Sequence, residues 1–444
     1  MSNMELNLEK IEALDLMTPG KFFAYLYETG NNELKNIAFK TLLQFYDKNM
    51  LDFTVYKSAI YFEKQVINFT KELLHGDQDV VGTFTYGGTE SIMLAVLSAR
   101  NSYWKKWGKD VVPELVAPFT IHPAFLKAAH YLGLKVKIVD INHNKKVDVE
   151  ALKNAITNKT ALVAVSAPNW PYGTIDPVKE VAEITREKNI LLHVDACVGG
   201  FILPFFEKLG EKVEPFDFRV EGVTSISADI HKYGYAPKGA SVVLFKNADL
   251  KKESIFVDLT NPGYIFVNTA VLSSRSVGPL AAAYATITYL RSEGYLQLAK
   301  QILEAREKIL LGLKKLGFDT LGPLESPILS LTNQDIDLVL YTLEMRKRGW
   351  HFHLQRGVSR YNIPINIHLA ISPVHKYTAV EFVKDSQESI EKIRGMKFEI
   401  RLEEILQDVQ TGKIDSSIAP ILVDMLNPEF ATSLVKDIVI AMYK

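Results

Sequence analysis

The chain is poor in cysteine: Cys197 stands alone, so no intrachain disulfide can form, and a reducing compartment is expected. It carries no surplus of either charge. Lys and Arg number 51, Asp and Glu 52, and the formal net charge is -1. That balance gives no global field to gather nucleic acid or anionic lipid, so no nucleic-acid partner is expected. Long apolar runs are missing as well. The most apolar stretch, Ile190 to Phe206, is interrupted by His193, Asp195 and two glycines. It is too short and too polar for a membrane span and reads as a buried strand with its following loop. Met1 to Met17 is acidic and polar-interrupted, without the basic start and apolar stretch of a signal peptide. A soluble, cytoplasmic protein with no transmembrane segment is the expectation. No internal repeat or low-complexity tract stands out.

What is present is an ordinary globular mixture. Hydrophobic residues make up 47% and charged residues 23% of 444 residues, which suits a large domain plus a smaller one. Short β-rich runs alternate with helical patterns from about Val80 to Phe245. Strands are expected at Val80–Tyr86, Glu114–Ala117, Lys135–Asp140, Ala161–Ser166, Ile190–Val194, Thr224–Ala228 and Ser241–Phe245. Helices are expected at Glu90–Trp107, Pro123–Leu132, Val149–Ile156 and Pro177–Lys188, with each proline where a first turn tolerates it. This alternation predicts an α/β fold, a mostly parallel seven-stranded sheet with helices on both faces. A loop, not a helix, joins the last two strands, which fits a hairpin-like or antiparallel addition at an edge. Residues 1–60 read as a helical arm and 61–275 as the large domain. Residues 276–444 read as a smaller α+β domain: a long helix over Pro279–Leu316, short strands near Ile328–Leu331 and Ile365–Ile371, then helices from Ala379 onward.

Four motifs sit at the C-terminal ends of expected strands, the edge where open α/β sheets bind ligands. Tyr86-Gly87-Gly88-Thr89-Glu90-Ser91 joins the first strand to a helix. Its glycines allow close backbone approach, and the helix start favours an anion such as a phosphate. The competing reading is a tight turn capped by Thr89 or Ser91. The turn is neither a P-loop nor a dinucleotide fingerprint, since both signatures are missing. His122, in Ile121-His122-Pro123, can stack on a planar ligand or serve the structure alone. Asp195, in His193-Val194-Asp195-Ala196-Cys197, can pair with a protonated ring nitrogen or cap the next helix. It has no His, Cys or carboxylate cluster at metal-ligand spacing, so no metal is expected. Lys232, in Ser227-Ala228-Asp229-Ile230-His231-Lys232-Tyr233, is either a surface loop lysine or a strand-end amine. Desolvation would lower such an amine's pKa and leave it able to attack a carbonyl. An anion site, an acid for a pyridinium nitrogen and an amine for an aldehyde are the three handles that pyridoxal 5'-phosphate requires.

The string SISADIHKYGYAPKG, Ser225 to Gly239, resembles the cofactor-lysine segment of the sphingosine-1-phosphate lyase family. YGGTES, TIHPAFLKAA, APNWPYGTIDPV and HVDACVGGF resemble that family in the same order. The likeness is strong over about residues 80–280 and looser to about residue 400. It implies a fold-type I enzyme of the pyridoxal-phosphate-dependent decarboxylase superfamily, working as a homodimer. It further implies that Lys232 holds the cofactor as a Schiff base, Asp195 pairs with the ring nitrogen and His122 stacks on one ring face. Cys197 would pack on the other face. Gly88, Thr89 and His231 would hold the cofactor phosphate, with Ser273 or Ser274 reaching it from the second subunit. Lys238, Trp170 and Tyr25 or Tyr27 would meet the substrate.

One departure stands out. Where the family has an upstream Asn-Pro-Leu-His that helps bind the substrate phosphate, this chain has Asn49-Met50-Leu51-Asp52. Asp52 would repel a phosphate. Two reactions with small-molecule substrates therefore stand open. One is retro-aldol cleavage of a β-hydroxy amine, phosphorylated or not, to an aldehyde and an amine. The other is decarboxylation of an amino acid, to which Asp52 lends some weight. Intact Lys232, Asp195 and His122 argue against a non-catalytic protein that merely kept the fold.

Overall fold

Uninterrupted runs of small and branched apolar side chains, such as Thr160–Ser166 and Ser241–Phe245, are buried at every position and extend as the central strands of a sheet. The computed structural model describes residues 8–15, 18–399, 427–441 and 443. Residues 1–7 and 16–17 of the expected arm and the expected C-terminal helices over 400–426 lie outside the described residues. Three helices lead: α1 (Leu8–Glu12), α2 (Asn32–Phe45) and α3 (Lys57–Leu73). Next come β1 (Val81–Thr85), α4 (Gly88–Trp107), β2 (Glu114–Pro118), α5 (Ala124–Leu132), β3 (Lys135–Val139), α6 (Val149–Ala155) and β4 (Thr160–Ser166). They are followed by α7 (Val178–Glu187), β5 (Leu191–Asp195), α8 (Leu203–Lys208), β6 (Val223–Asp229) and β7 (Ser241–Phe245). A short passage, α9 (Ala248–Lys252), β8 (Phe256–Asp258) and β9 (Phe266–Asn268), leads into α10 (Gly278–Lys315). The remainder holds β10 (Asp319–Thr320), β11 (Ile328–Thr332), α11 (Leu338–Lys347), β12 (His353–Gln355), β13 (Asn366–Ala370), α12 (His375–Ile393) and α13 (Pro428–Ala441).

The main sheet has seven strands in the order β1-β7-β6-β5-β4-β2-β3. From β3 to β6 every pairing is parallel. β7 runs antiparallel to both β6 and β1. The antiparallel strand therefore exists as expected, but it lies inside the sheet, and β1 takes the edge. The cause is local: the loop after β6 holds no crossover helix, and a parallel return needs one. β7 is buried at all five positions and needs a neighbour on each side. Flanked by β7, β1 points the same way as the parallel strands, so its C-terminal end joins theirs at one edge. The opposite edge strand, β3, carries Lys135 and Lys137, charges that discourage further pairing. α7 shows how the faces are covered: Val178, Val181, Ala182 and Thr185 form one buried stripe at helical spacing.

A second sheet, antiparallel and four-stranded in the order β10-β11-β13-β12, follows α10. The short strands β8, β9, β10 and β12 are not foreshadowed by the sequence pattern. The long helical pattern forms α10, but its backbone leaves helical geometry at Arg291 (φ 50°, ψ -170°) and bends there. α10 packs against both α2 and α12, so it joins the N-terminal helices to the C-terminal layer.

Candidate active site

The C-terminal ends of β1, β2, β5 and β6 open on a cavity of about 830 Å³. Gly88, Thr89, His122, Asp195, Cys197, His231, Lys232, Trp170, Lys238, Tyr25 and Tyr27 all line it. Asp52 does not. It is exposed on a turn, where its carboxylate accepts from the Thr54 hydroxyl at 2.6 Å. Ser273 and Ser274 are exposed and outside the lining of this single chain, although Val271 and Leu272 beside them face the cavity.

The turn after β1 is held by Glu90, which the sequence pattern does not single out. Its buried carboxylate accepts from Tyr86 N at 2.7 Å and from Val271 N at 2.8 Å, tying the turn to the segment after β9. The first N–H groups of α4 begin here, and a helix start leaves them without intrahelical acceptors. At Gly88 an added Cβ would stand 2.8 Å from the Asp229 carboxylate and from Cys197 Sγ, so the floor packs too closely for any side chain. At the end of β2, His122 Nδ1 accepts from Ala124 N at 3.2 Å, which leaves a proton on Nε2 in the neutral ring. Burial lowers its pKa.

Asp195 ends β5. Its Oδ1 accepts from Cys197 N at 3.0 Å and from Ser227 Oγ at 3.3 Å. It caps no helix, since α8 starts eight residues on. Beneath it His193 is wedged between Ser225 Oγ at 2.8 Å and Ser227 Oγ at 3.1 Å, and burial lowers its pKa to about 4. This chain from Ser225 through His193 and Ser227 buttresses the Asp195 carboxylate. Burial raises the Cys197 thiol well above the ordinary range.

Asp229 ends β6. Its Oδ2 lies 2.9 Å from Lys232 Nζ and 3.7 Å from His231 Nε2. Burial is the largest single influence and would lower the lysine, but the Asp229 charge and hydrogen bond, joined by Cys197 and Tyr27, together outweigh it, and Lys232 is raised above the ordinary lysine value. The expectation of an amine neutralised by desolvation is thus corrected: the lysine is ion-paired. His231 is turned by Ala240 N, which donates to its Nδ1 at 3.2 Å, and burial lowers its pKa.

The rim is built from loops. Lys238 Nζ donates to Tyr25 O at 2.8 Å and lies 5.1 Å from the centre of the Tyr27 ring. Crowding of this ammonium away from water, with the Lys232 charge nearby, lowers its pKa to about 8. Burial pushes Tyr27 up to about 12, so its hydroxyl keeps its proton. Trp170 packs on His368 at 4.4 Å, and His368 Nε2 bonds the Trp170 carbonyl at 2.9 Å.

A strand-end lysine, a carboxylate and an open helix start around one cavity are the parts needed by a class of enzyme that carries an aldehyde cofactor. Residues 7–276 match the pyridoxal-dependent decarboxylase conserved domain, which is more than half of the chain. The sphingosine-1-phosphate lyase 1 of Rattus norvegicus is 37% identical over 391 residues, covering 87% of this chain and 67% of the relative. That of Dictyostelium discoideum is 39% identical over 376 residues, covering 83% of this chain and 68% of the relative. The chain thus spans about two thirds of the length of these curated relatives. Among solved structures, the sphingosine-1-phosphate lyase of Burkholderia pseudomallei K96243 superposes with a TM-score of 0.84 at 30% identity. That match covers 94% of this chain and 97% of that one. The chain belongs to the sphingosine-1-phosphate lyase family, a branch of the pyridoxal-dependent decarboxylases.

It is accordingly a lyase, and its cofactor is pyridoxal 5'-phosphate. The residues present fit that group. The cavity offers an amine at Lys232, a carboxylate at Asp195 and the open N–H groups of the α4 start. It also offers Thr120 Oγ1, a buried hydroxyl without a partner among the described residues.

Proposed function

We propose that the chain cleaves the Cα–Cβ bond of a phosphorylated β-hydroxy amine by retro-aldol chemistry, giving an aldehyde and an amine. The carrying observation is that Lys232, Asp195, His122 and the Gly87–Thr89 turn line one cavity whose rim holds a second cation, Lys238. In this reading Lys232 carries pyridoxal phosphate, and Asp195 faces the ring nitrogen and keeps it protonated. His122 covers one ring face, and Cys197 lies against the other. Gly88, Thr89 and His231 hold the cofactor phosphate, joined by Ser273 or Ser274 of a second copy. The bound cofactor supplies an electron sink. The protein supplies the rest. A base removes the substrate hydroxyl proton, the Cα–Cβ bond breaks with formation of a carbonyl at Cβ, and the electron pair stays with Cα. A proton then returns to Cα, and Lys232, released when substrate is held, stands in place to give it. Lys238 anchors the substrate phosphate as a point charge, with Tyr25, Tyr27 and Trp170 around it.

Decarboxylation of an amino acid is the second reading. Its support from Asp52 weakens, because that carboxylate does not line the cavity. Incubation with a phosphorylated long-chain base and with a panel of amino acids separates the two. An aldehyde product is expected; carbon dioxide without aldehyde would overturn the reading.

We also propose a homodimer. An exposed apolar patch supports it: Phe256, Leu259, Tyr264 and Ile265 on and between β8 and β9, in the segment that leads to Ser273 and Ser274. A cytoplasmic location draws support from the lone buried Cys197, and no helix among the described residues is long and apolar enough to cross a membrane. Division into an arm, a large domain to about residue 275 and a smaller C-terminal domain draws support from the two separate sheets.

A further inference from the structure

We propose that Asp229 is the counter-ion of the Lys232 nitrogen and holds a proton on it both before and after the cofactor is attached. This rests on the reading that Lys232 carries the cofactor. Asp229 is 2% exposed and stands at the end of β6, three residues before the lysine. Its Oδ2 lies 2.9 Å from Lys232 Nζ, and the turn between them is closed by Lys232 N donating to Asp229 O at 3.4 Å. Its Oδ1 is buried without a hydrogen-bond partner among the described residues. The neighbouring Ser241 hydroxyl donates to Ala228 O at 3.3 Å and also helps to hold the Asp229 carboxylate ionised. The carboxylate is wedged under the Gly88 backbone, where even a methyl group would touch it.

The surrounding groups leave the compensation of this charge to Lys232. His231 approaches the same oxygen no closer than 3.7 Å, and burial keeps it neutral. His122 is likewise lowered by burial, while the Cys197 thiol and the Tyr27 hydroxyl are raised and uncharged. Lys238 is turned to the rim by its bond to Tyr25 O. Asp195, the other carboxylate of the floor, is occupied by Cys197 N and Ser227 Oγ. Loss of the Lys232 proton would strand a buried negative charge, which is strongly unfavourable. The pair therefore keeps the nitrogen protonated over a wide pH range.

The test compares wild type with Asp229→Asn, which keeps the shape and removes the charge. Each protein is loaded with pyridoxal phosphate, and the visible absorption band of the protonated cofactor–lysine link is titrated with pH. Borohydride trapping and peptide mass analysis establish the attachment point in parallel. The expected result is attachment at Lys232 in both proteins, with the Asn midpoint lower by at least one pH unit, about a tenfold loss of proton affinity. Attachment at Lys232 with a smaller fall, no change or a rise overturns the role of Asp229. Absence of the adduct at Lys232 in wild type overturns the underlying reading instead, so the two failures are distinct. Should Asp229→Asn not fold, wild-type apoprotein carries the test through its rate of cofactor attachment. That rate is expected to rise roughly tenfold per pH unit past about pH 9. A plateau below that pH marks a desolvated amine without a counter-ion and overturns the proposal.

Discussion

At the floor of the cavity, Asp195 and Asp229 stand on the ends of adjacent parallel strands, with Lys232 one turn beyond, all largely buried. At the rim, Tyr25, Trp170 and Lys238 come from three loops far apart in the chain, and Tyr25 is 74% exposed. The floor is held by strand register and by hydrogen bonds from Ser227, Cys197 and His193. The rim is held by the bond of Lys238 to the Tyr25 carbonyl, by the bond of His368 to the Trp170 carbonyl and by aromatic packing. On the proposed reading, such a division separates chemistry from recognition. Rigid elements fix the reacting groups, while loops can change what is admitted.

The sharpest way to break this contrast is at the lysine. Lys232→Ala should abolish turnover and remove the borohydride-reducible adduct; retained activity with retained adduct would defeat the floor assignment. Asp195→Asn should lower kcat about 100-fold or more while thermal unfolding shows an intact fold, because the ring nitrogen loses its countercharge. A near-normal rate would reduce Asp195 to a structural role. At the rim the split should reverse. Lys238→Met should raise KM for a phosphorylated substrate roughly tenfold or more with kcat little changed, the loss of a charge-assisted contact. An equal fall in kcat would place Lys238 with the floor. The smallest effect is on stability. His193 below the floor and His368 below the rim are buried neutral, with pKa values lowered from 6.5 to about 4 and about 3. Depressed values mean that their contribution is complete above about pH 6.5 and is lost as pH falls toward the folded values. The unfolding temperature should therefore drop by about 5 °C or more between pH 7 and pH 4.5. A flat profile would show that neither ring is as dry as its packing implies.

The floor is the more legible region in sequence because a strand end and its turn are local. Asp195 and Lys232 can be placed on their edge from the expected strands Ile190–Val194 and Thr224–Ala228 that precede them. The charge of Lys232 was not legible from burial, since the deciding group is Asp229, three residues back in the same string. An acidic residue at that spacing from a strand-end lysine is the signal that finds it. Glu90 hides for a different reason: it reads as ordinary first-turn helix chemistry, and its partners Val271 and Leu272 are remote in sequence. The hairpin of β8 and β9 escapes because three-residue strands are too short to show a period. The edge position expected for β7 fails because strand order is set by non-local pairing, to which alternation is blind.

That misplaced strand has a consequence for assembly. Among the described residues β1 pairs with β7 alone, Val81 opposite Phe245. The glycine turn at the end of β1 is thus seated by a segment synthesised long after it, and Tyr86 is then latched by its hydroxyl to Ser276 O. If that turn is the anion cradle proposed above, a nascent chain cannot present it until β7 has emerged and inserted. Cofactor capture should therefore wait until β7, just past the middle of the chain, has emerged and paired, and truncation anywhere before β7 should leave a chain blind to pyridoxal phosphate.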